Sequence, residues 1–223
     1  MQQRKSKIIL IYFFLVIILG SVNNLNLTKI KFNKVENINI SGLNYLENEK
    51  ILRDINNLNL ENIFFLNSIK INNIINSNSL VEEFKVFKKY PSTINIDIEK
   101  TIFLAKINHD EKILILGSNG KFLKNDFSIK ELPYIFGNPD PSDFLNFKKI
   151  IENSKISYEA IKNIYFFKSN RWDLELKNNI IIKLPKNNVK ETLDNVSEFM
   201  KIISVDGVII IDARIKNQII LND

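Results

Sequence analysis

Tyr90-Pro91-Ser92-Thr93-Ile94-Asn95-Ile96-Asp97-Ile98-Glu99 reads as a turn followed by a strand. Proline sets the turn, and from Ile94 onward isoleucine alternates with Asn or an acid. A period of two places three isoleucines on one face and the polar residues on the other, as in a half-buried strand. Working backward, Leu80 to Phe87 reads as a partner strand across that turn. Ser68 to Asn76 carries Ile71, Ile74 and Ile75 at helical spacing, with Ser68 as the expected cap. Asn48 to Leu58 repeats the pattern with Ile51, Leu52, Ile55 and Leu58. Asn37 to Ser41 alternates again and stops at Gly42, while Thr28 to Val35 reads as a linker or a first strand. The order is β-α-α-β-β, complete by about Lys100.

Beyond Lys100 the pattern becomes strand-rich. Ile113 to Leu116 and Lys121 to Leu123 flank Gly117-Ser118-Asn119-Gly120, a hairpin turning at Asn-Gly. Leu132 to Gly137 is a short apolar piece ended by glycine. Asn138 to Ser142 is a turn leading into a helix with Phe144, Phe147, Ile150 and Ile151 on one face. Arg171 to Leu176 and Ile180 to Leu184 form a second hairpin around Asn178-Asn179. Val189 to Ile203 is a helix with Leu193, Val196, Phe199 and Met200 as its stripe, and Val208 to Ile211 pairs with Ile219 to Leu221 at the end. The fold class is α+β: an N-terminal helix, a β-α-α-β-β unit over 30–101, and a β-rich domain with flanking helices over 102–223.

The N-terminus is different in kind. Ile8 to Leu19 is an unbroken apolar run, preceded by Arg4, Lys5 and Lys7 and by no acid. Twelve residues suit the core of a signal peptide as well as a span, which needs about 20. Extending the segment to Leu27 supplies that length but takes in Asn23, Asn24 and Asn26. No A-x-A site follows the run, which favours retention. The expectation is a single-pass anchor over 8–27 with a cytoplasmic tail at 1–7 and the remainder exported, long domains being translocated largely regardless of flanking charge. Cleavage to a secreted ligand-binding module is the alternative.

Charge and chemistry narrow the function. The net charge is +6, of which the N-terminal cluster supplies three. Elsewhere Lys and Asp/Glu are interspersed, without the basic stripe of a nucleic-acid binder. There is no Cys and a single His, His109, beside Asn108 and Asp110, where an exposed turn is expected. Metal centres would need carboxylates alone. Asp110-Glu111 and Glu82-Glu83 are adjacent pairs whose side chains point apart on a strand, so neither is a ready acid/base dyad. No G-x-S-x-G or glycine-rich phosphate loop is present. Arg171-Trp172 is the one basic-aromatic doublet, and its Trp is expected in the core rather than at a binding hot spot. No catalytic residue, cofactor, metal or small-molecule substrate is therefore assigned.

Several stretches, in order, resemble the FtsQ/DivIB family of bacterial cell-division proteins. Val35-Glu36-Asn37-Ile38-Asn39-Ile40-Ser41-Gly42 is similar to the opening strand of its POTRA domain. Asn62-Ile63-Phe64-Phe65-Leu66 resembles its motif between the two helices, and Tyr90 to Glu99 its aromatic-Pro-x-Thr stretch. Ala105, Leu132-Pro133 with Gly137, Arg171-Trp172 and Asp212-Ala213-Arg214 resemble landmarks of the following domain. Ile102 stands where the family commonly has proline, and the cytoplasmic tail is very short. The resemblance implies a non-enzymatic scaffold of the cytoplasmic membrane. It would sit at the division septum, bind the coiled-coil proteins FtsB and FtsL, and link them to septal wall synthesis enzymes. It also implies a terminal strand that receives FtsB by strand addition. An open sheet edge offers unpaired N–H and C=O groups, so Ile215, Asn217, Ile219 and Leu221 are the expected contact residues. The competing readings are another POTRA-bearing export or assembly factor, and an exported enzyme built around His109.

Overall fold

A computed structural model describes residues 2–22, 34–60, 62–64, 66–109, 111–124, 131–202, 209–216 and 218–222. After helix α1 (Gln2–Val22), the first unit comprises β1 (Asn37–Ser41), α2 (Tyr45–Asn56), α3 (Ser68–Ser77), β2 (Val81–Lys89) and β3 (Thr93–Lys100). Its sheet has the order β1-β3-β2, with β1 parallel and β2 antiparallel to β3. The alternation of β3 sets the core. Ile94, Ile96 and Ile98 are buried together with Ile51 and Ile55 of α2, Ile71 and Ile75 of α3, and Ile63 between the helices. Asn44 caps α2 by accepting from the Glu47 amide at 2.9 Å. The cap of α3 is Asn67, not the expected Ser68. The Asn67 carboxamide oxygen accepts from the Ile69 amide at 3.1 Å, and Ser68 is already helical.

The second unit is one nine-stranded sheet carrying two helices. It contains β4 (Phe103–His109), β5 (Lys112–Gly117), β6 (Phe122–Lys124), β7 (Tyr134–Phe136), α4 (Pro141–Glu152), β8 (Ile161–Phe167), β9 (Arg171–Leu176), β10 (Ile181–Lys183), α5 (Val189–Ile202), β11 (Ile210–Asp212) and β12 (Ile220–Asn222). The order is β12-β11-β10-β9-β8-β7-β4-β5-β6. The parallel pairs β7–β8 and β10–β11 are each joined through a helix, α4 or α5, as parallel neighbours require. Phe144, Phe147 and Ile151 of α4 and Leu193 and Val196 of α5 close over Ile107, Ile135, Ile164, Leu174, Ile182 and Ile211 of the strands. Trp172 lies in this core, stacked on Phe147 at 4.5 Å between ring centres. Neither β4 nor β8 was expected from the sequence. His109 ends β4 half-buried, its ring stacked on Phe122 at 4.7 Å, rather than standing in an exposed turn.

The Asn-Gly turn between β5 and β6 locks the two units together. The Asn119 side-chain amide donates to the carbonyls of Ser79 (2.9 Å) and Val81 (2.8 Å). Ser118 Oγ donates to Glu82 at 2.6 Å, and Lys121 Nζ donates to the Asn76 carbonyl at 2.6 Å. Ile115 and Leu123 lie on the sheet face turned toward the first unit, where a cleft of about 620 Å³ also takes in Ile51 and Leu80. From Leu114 onward both faces of β5 are thus covered, which explains the apolar run there, while Ile113 before it is 46% exposed.

Helix α1 ends at Val22, so the expected span to Leu27 extends past it into residues outside those described. Its unbroken apolar run, Ile8 to Leu19, rises only about 18 Å as helix, against roughly 30 Å of bilayer hydrocarbon. Among the described residues no helix is long and apolar enough to cross a membrane. All twelve residues of the run are exposed.

Candidate partner-binding edge of the sheet

The last strand, β12, forms one margin of the nine-stranded sheet and pairs only with β11 among the described residues. The register sets Ile210 opposite Asn222, Ile211 opposite Leu221 and Asp212 opposite Ile220. Alternation then separates the residues proposed for contact. Leu221 and Ile219 pack against the core formed with Ile211, half-buried. Ile220 takes the opposite face and is 39% exposed. Ile215 stands in the turn before β12 at 56% exposure. Asn217 lies outside the described residues. Three of the four expected positions thus gather at the margin, but only Ile215 presents its side chain outward. Ile219 and Leu221 offer backbone. Ile220, which the sequence reading passed over, offers an outward apolar side chain.

Beside this margin a cavity of about 490 Å³ opens between α5 and the β11–β12 turn, its lining including Lys186, Glu191, Asn195, Arg214 and Ile219. Arg214 donates to both oxygens of Asp212, through Nε at 2.9 and 3.0 Å and through Nη2 at 2.5 Å. This pairing holds the Asp212 carboxyl below the usual carboxylate range and raises the guanidinium. The fork fixes Arg214 at the cavity rim with its charge in place.

The sheet face away from the helices carries a second polar group. β9 alternates strictly: Trp172, Leu174 and Leu176 turn to the core, while Arg171, Asp173 and Glu175 turn away. Arg171 lies over the Phe167 ring at 4.3 Å and pairs with Asp173, whose Oδ1 also accepts from the Leu184 amide at 3.2 Å. Glu175 accepts from Asn163 (2.8 Å), Lys162 (2.8 Å) and the Tyr165 hydroxyl (2.6 Å). These donors hold its carboxyl down at about 2, while burial, then the Glu175 contact, pushes the Tyr165 hydroxyl up to about 12. Tyr165 stacks on Phe136, which meets Tyr134, so a short aromatic row runs across β7 and β8.

A depressed carboxylate stabilises the fold above its unfolded value and loses that contribution as pH falls through its folded one. The Glu175 contribution, about 2 kcal/mol, is expected to be full above pH 4.5 and gone near pH 2. Urea midpoints measured across that window should fall for the parent and change distinctly less for Glu175→Gln. Parallel curves would sink the assignment.

The other polar candidates do not converge. Glu82 is taken up by Ser118, and Asp110 lies outside the described residues. Among the described residues no group of three or more His, Cys, Asp or Glu is placed to hold a metal ion.

A β-α-α-β-β unit docked on a helix-backed open sheet defines a two-domain, POTRA-bearing protein. The family profile for the FtsQ-type POTRA domain matches residues 33–100, and that for the C-terminal region of the cell division proteins FtsQ/DivIB matches 105–214. The chain belongs to the FtsQ/DivIB family of cell-division proteins. It is similar to cell division protein FtsQ of Rickettsia bellii, with 27% identity over 172 residues, 75% of this chain and 63% of the relative. FtsQ of Rickettsia felis is 28% identical over 78% of this chain and 65% of its own. DivIB of Clostridium tetani is 25% identical over 66% of this chain and 57% of its own. The match therefore spans somewhat less than two thirds of these relatives.

Proposed function

We propose that this protein is a non-enzymatic division scaffold, held in the cytoplasmic membrane by α1 with its N-terminus inside. Its exported domains bind other division proteins at the septum and couple them to septal wall synthesis. Partners resembling FtsB and FtsL are the expected ligands. The observation that carries this reading is the open margin at β12, in a chain of this family. A partner strand laid beside β12 extends the ladder through backbone hydrogen bonds, and its side chains meet Ile220, Ile215 and the Arg214 rim. The twelve exposed apolar residues of α1 support the anchor, since water is a poor solvent for such a surface.

Proline at Ile220 and proline at Leu221 each delete one N–H, and successive donors along a strand point to opposite sides. The variant that loses an outward N–H is expected to keep the parent's thermal transition and to retain partner at least tenfold less in a pull-down of the membrane-anchored chain. If both variants fold as the parent does and both retain partner fully, strand addition at β12 is wrong. Depleting the protein from its host should give filamentous cells that fail to divide. Normal division would remove the scaffold reading as a whole.

A further inference from the structure

At one end of the POTRA unit, exposed aromatics and lysines meet where the chain arrives from α1. Lys34 bridges Asn62, placing the start of the unit beside the loop that holds Phe64. Phe64 and Tyr90 lie with ring centres 4.9 Å apart, and they are 53% and 57% exposed. Lys88 and Lys89 close β2 at the same end, opposite Ile94 and Thr93, and are exposed, as is Lys34. Phe87, 49% exposed, lies one step behind them on the outer face of the sheet. Among the described residues the acid in this neighbourhood is Glu36, whose carboxylate accepts from the Ser92 hydroxyl; in the sequence Glu61 precedes Asn62. Two or three large, exposed aromatics surrounded by lysines are a costly surface to leave in water.

We infer that this tip docks on the extracytoplasmic face of the bilayer in which α1 is anchored, against anionic lipid headgroups there. The inference rests on the anchor proposed above. Only residues 23–33 lie between α1 and Lys34, and eleven residues reach at most about 40 Å. An anchored chain therefore delivers this end of the unit to the lipid surface before any other part. Tyrosine partitions to the headgroup level, with apolar ring and polar hydroxyl each satisfied, and the phenylalanine rings beside it bury apolar area there. Lysines beside an anionic leaflet add about 1 kcal/mol each, a factor of about five in partition. Docking would fix the height and tilt of the POTRA unit, and through the Asn119 turn the direction in which the β12 margin faces.

The chain has no cysteine, so a single introduced Cys takes a spin label uniquely. The full chain, labelled through Asn37→Cys, exposed at the same end opposite Thr93, and separately through Lys177→Cys in the β-rich domain, is reconstituted into vesicles of neutral lipid and into vesicles with a third anionic lipid. In anionic vesicles the label at the tip is expected to prefer dissolved oxygen over a water-soluble nickel relaxer more than in neutral ones, by at least the factor of about five that a single lysine contributes, while the label in the β-rich domain does not change. Reversing Lys34, Lys88 and Lys89 to Glu should return the tip label to its neutral-vesicle value. Equal aqueous exposure in both vesicles, with the chain floating with lipid, overturns the docking and leaves the anchor standing. Failure of the chain to float with lipid overturns the anchor, and this inference with it. Shielding of the tip label only after other division proteins are added assigns the tip to a protein surface and also overturns the inference.

Discussion

Replacing Trp172 with alanine is expected to destabilise the β-rich domain by about 3–5 kcal/mol. The indole stacks on Phe147 with the rings 7° apart, meets Phe166 at 4.6 Å and lies 6.4 Å from Phe144. It therefore bonds α4 to β8 and β9, and no neighbour is free to collapse into the space, because each is fixed in a strand or helix. Lost transfer energy and the residual cavity add together. For a domain of this size the melting transition should drop by about 10–20 °C. Calorimetry suits the measurement, since the variant loses its only tryptophan and with it the fluorescence signal. The POTRA unit should unfold near its parent temperature and act as an internal reference. A drop of less than about 4 °C, or 1 kcal/mol, would mean that α4 is held by something other than this stack. A collapsed helix layer would also disorder the β12 margin, so pull-down by this variant should fail for a reason that the proline variants avoid.

The clean alternation at Tyr90 to Glu99 was legible because one face of β3 meets the helices and the other is polar. The same reading gave β1, both POTRA helices, the Asn-Gly hairpin, α4, α5 and the terminal strand pair. Two strands escaped it, each for a definable reason. In β4 the register shifts between Phe103 and Ala105, so Leu104 and Ala105 both count among the core and the period of two is broken. In β8 aromatic side chains occupy both faces: Phe166 packs inward while Tyr165 and Phe167 turn outward, so no polar face marks the strand. The terminal strand was expected at a sheet edge, and β12 lies there, with Ile219 and Leu221 packed toward the core and Ile220 on the other face. Ile219 and Leu221 are apolar because they complete the core, and in a three-residue strand the pattern cannot say which parity meets solvent. The Glu175 network left only a faint trace, the alternation of charge with apolar residues in Arg171 to Leu176. Its donors, Lys162, Asn163 and Tyr165, lie on a strand that the sequence did not reveal.

Gly42→Ala is expected to cost the POTRA unit about 3 kcal/mol, for two reasons that act together. The residue has φ +106°, a conformation that a side chain disfavours. A methyl built there would also lie 1.7 Å from the carbonyl oxygen of Ile98, inside any permitted contact. That oxygen belongs to β3, whose pairing with β1 and β2 leaves it no room to retreat. Either the Ile98 peptide leaves the ladder or the β1–α2 connection swings out, and both expose Ile96 and Ile98. Gly120→Ala separates the two causes. Its φ is also positive, +73°, but the nearest atom to an added methyl is Leu145 Cδ1 at 3.5 Å, an ordinary contact. It should cost only about 1 kcal/mol, the backbone term alone. Amide hydrogen exchange reads each site locally, at β3 for the first variant and at the β5–β6 turn for the second. Equal costs would show that close approach to β3 is not what demands glycine at position 42. A larger cost at Gly42 would also give a physical reason for glycine at the end of the Val35 to Gly42 stretch. A strand can be built from many apolar residues, whereas this contact admits only a residue without a side chain.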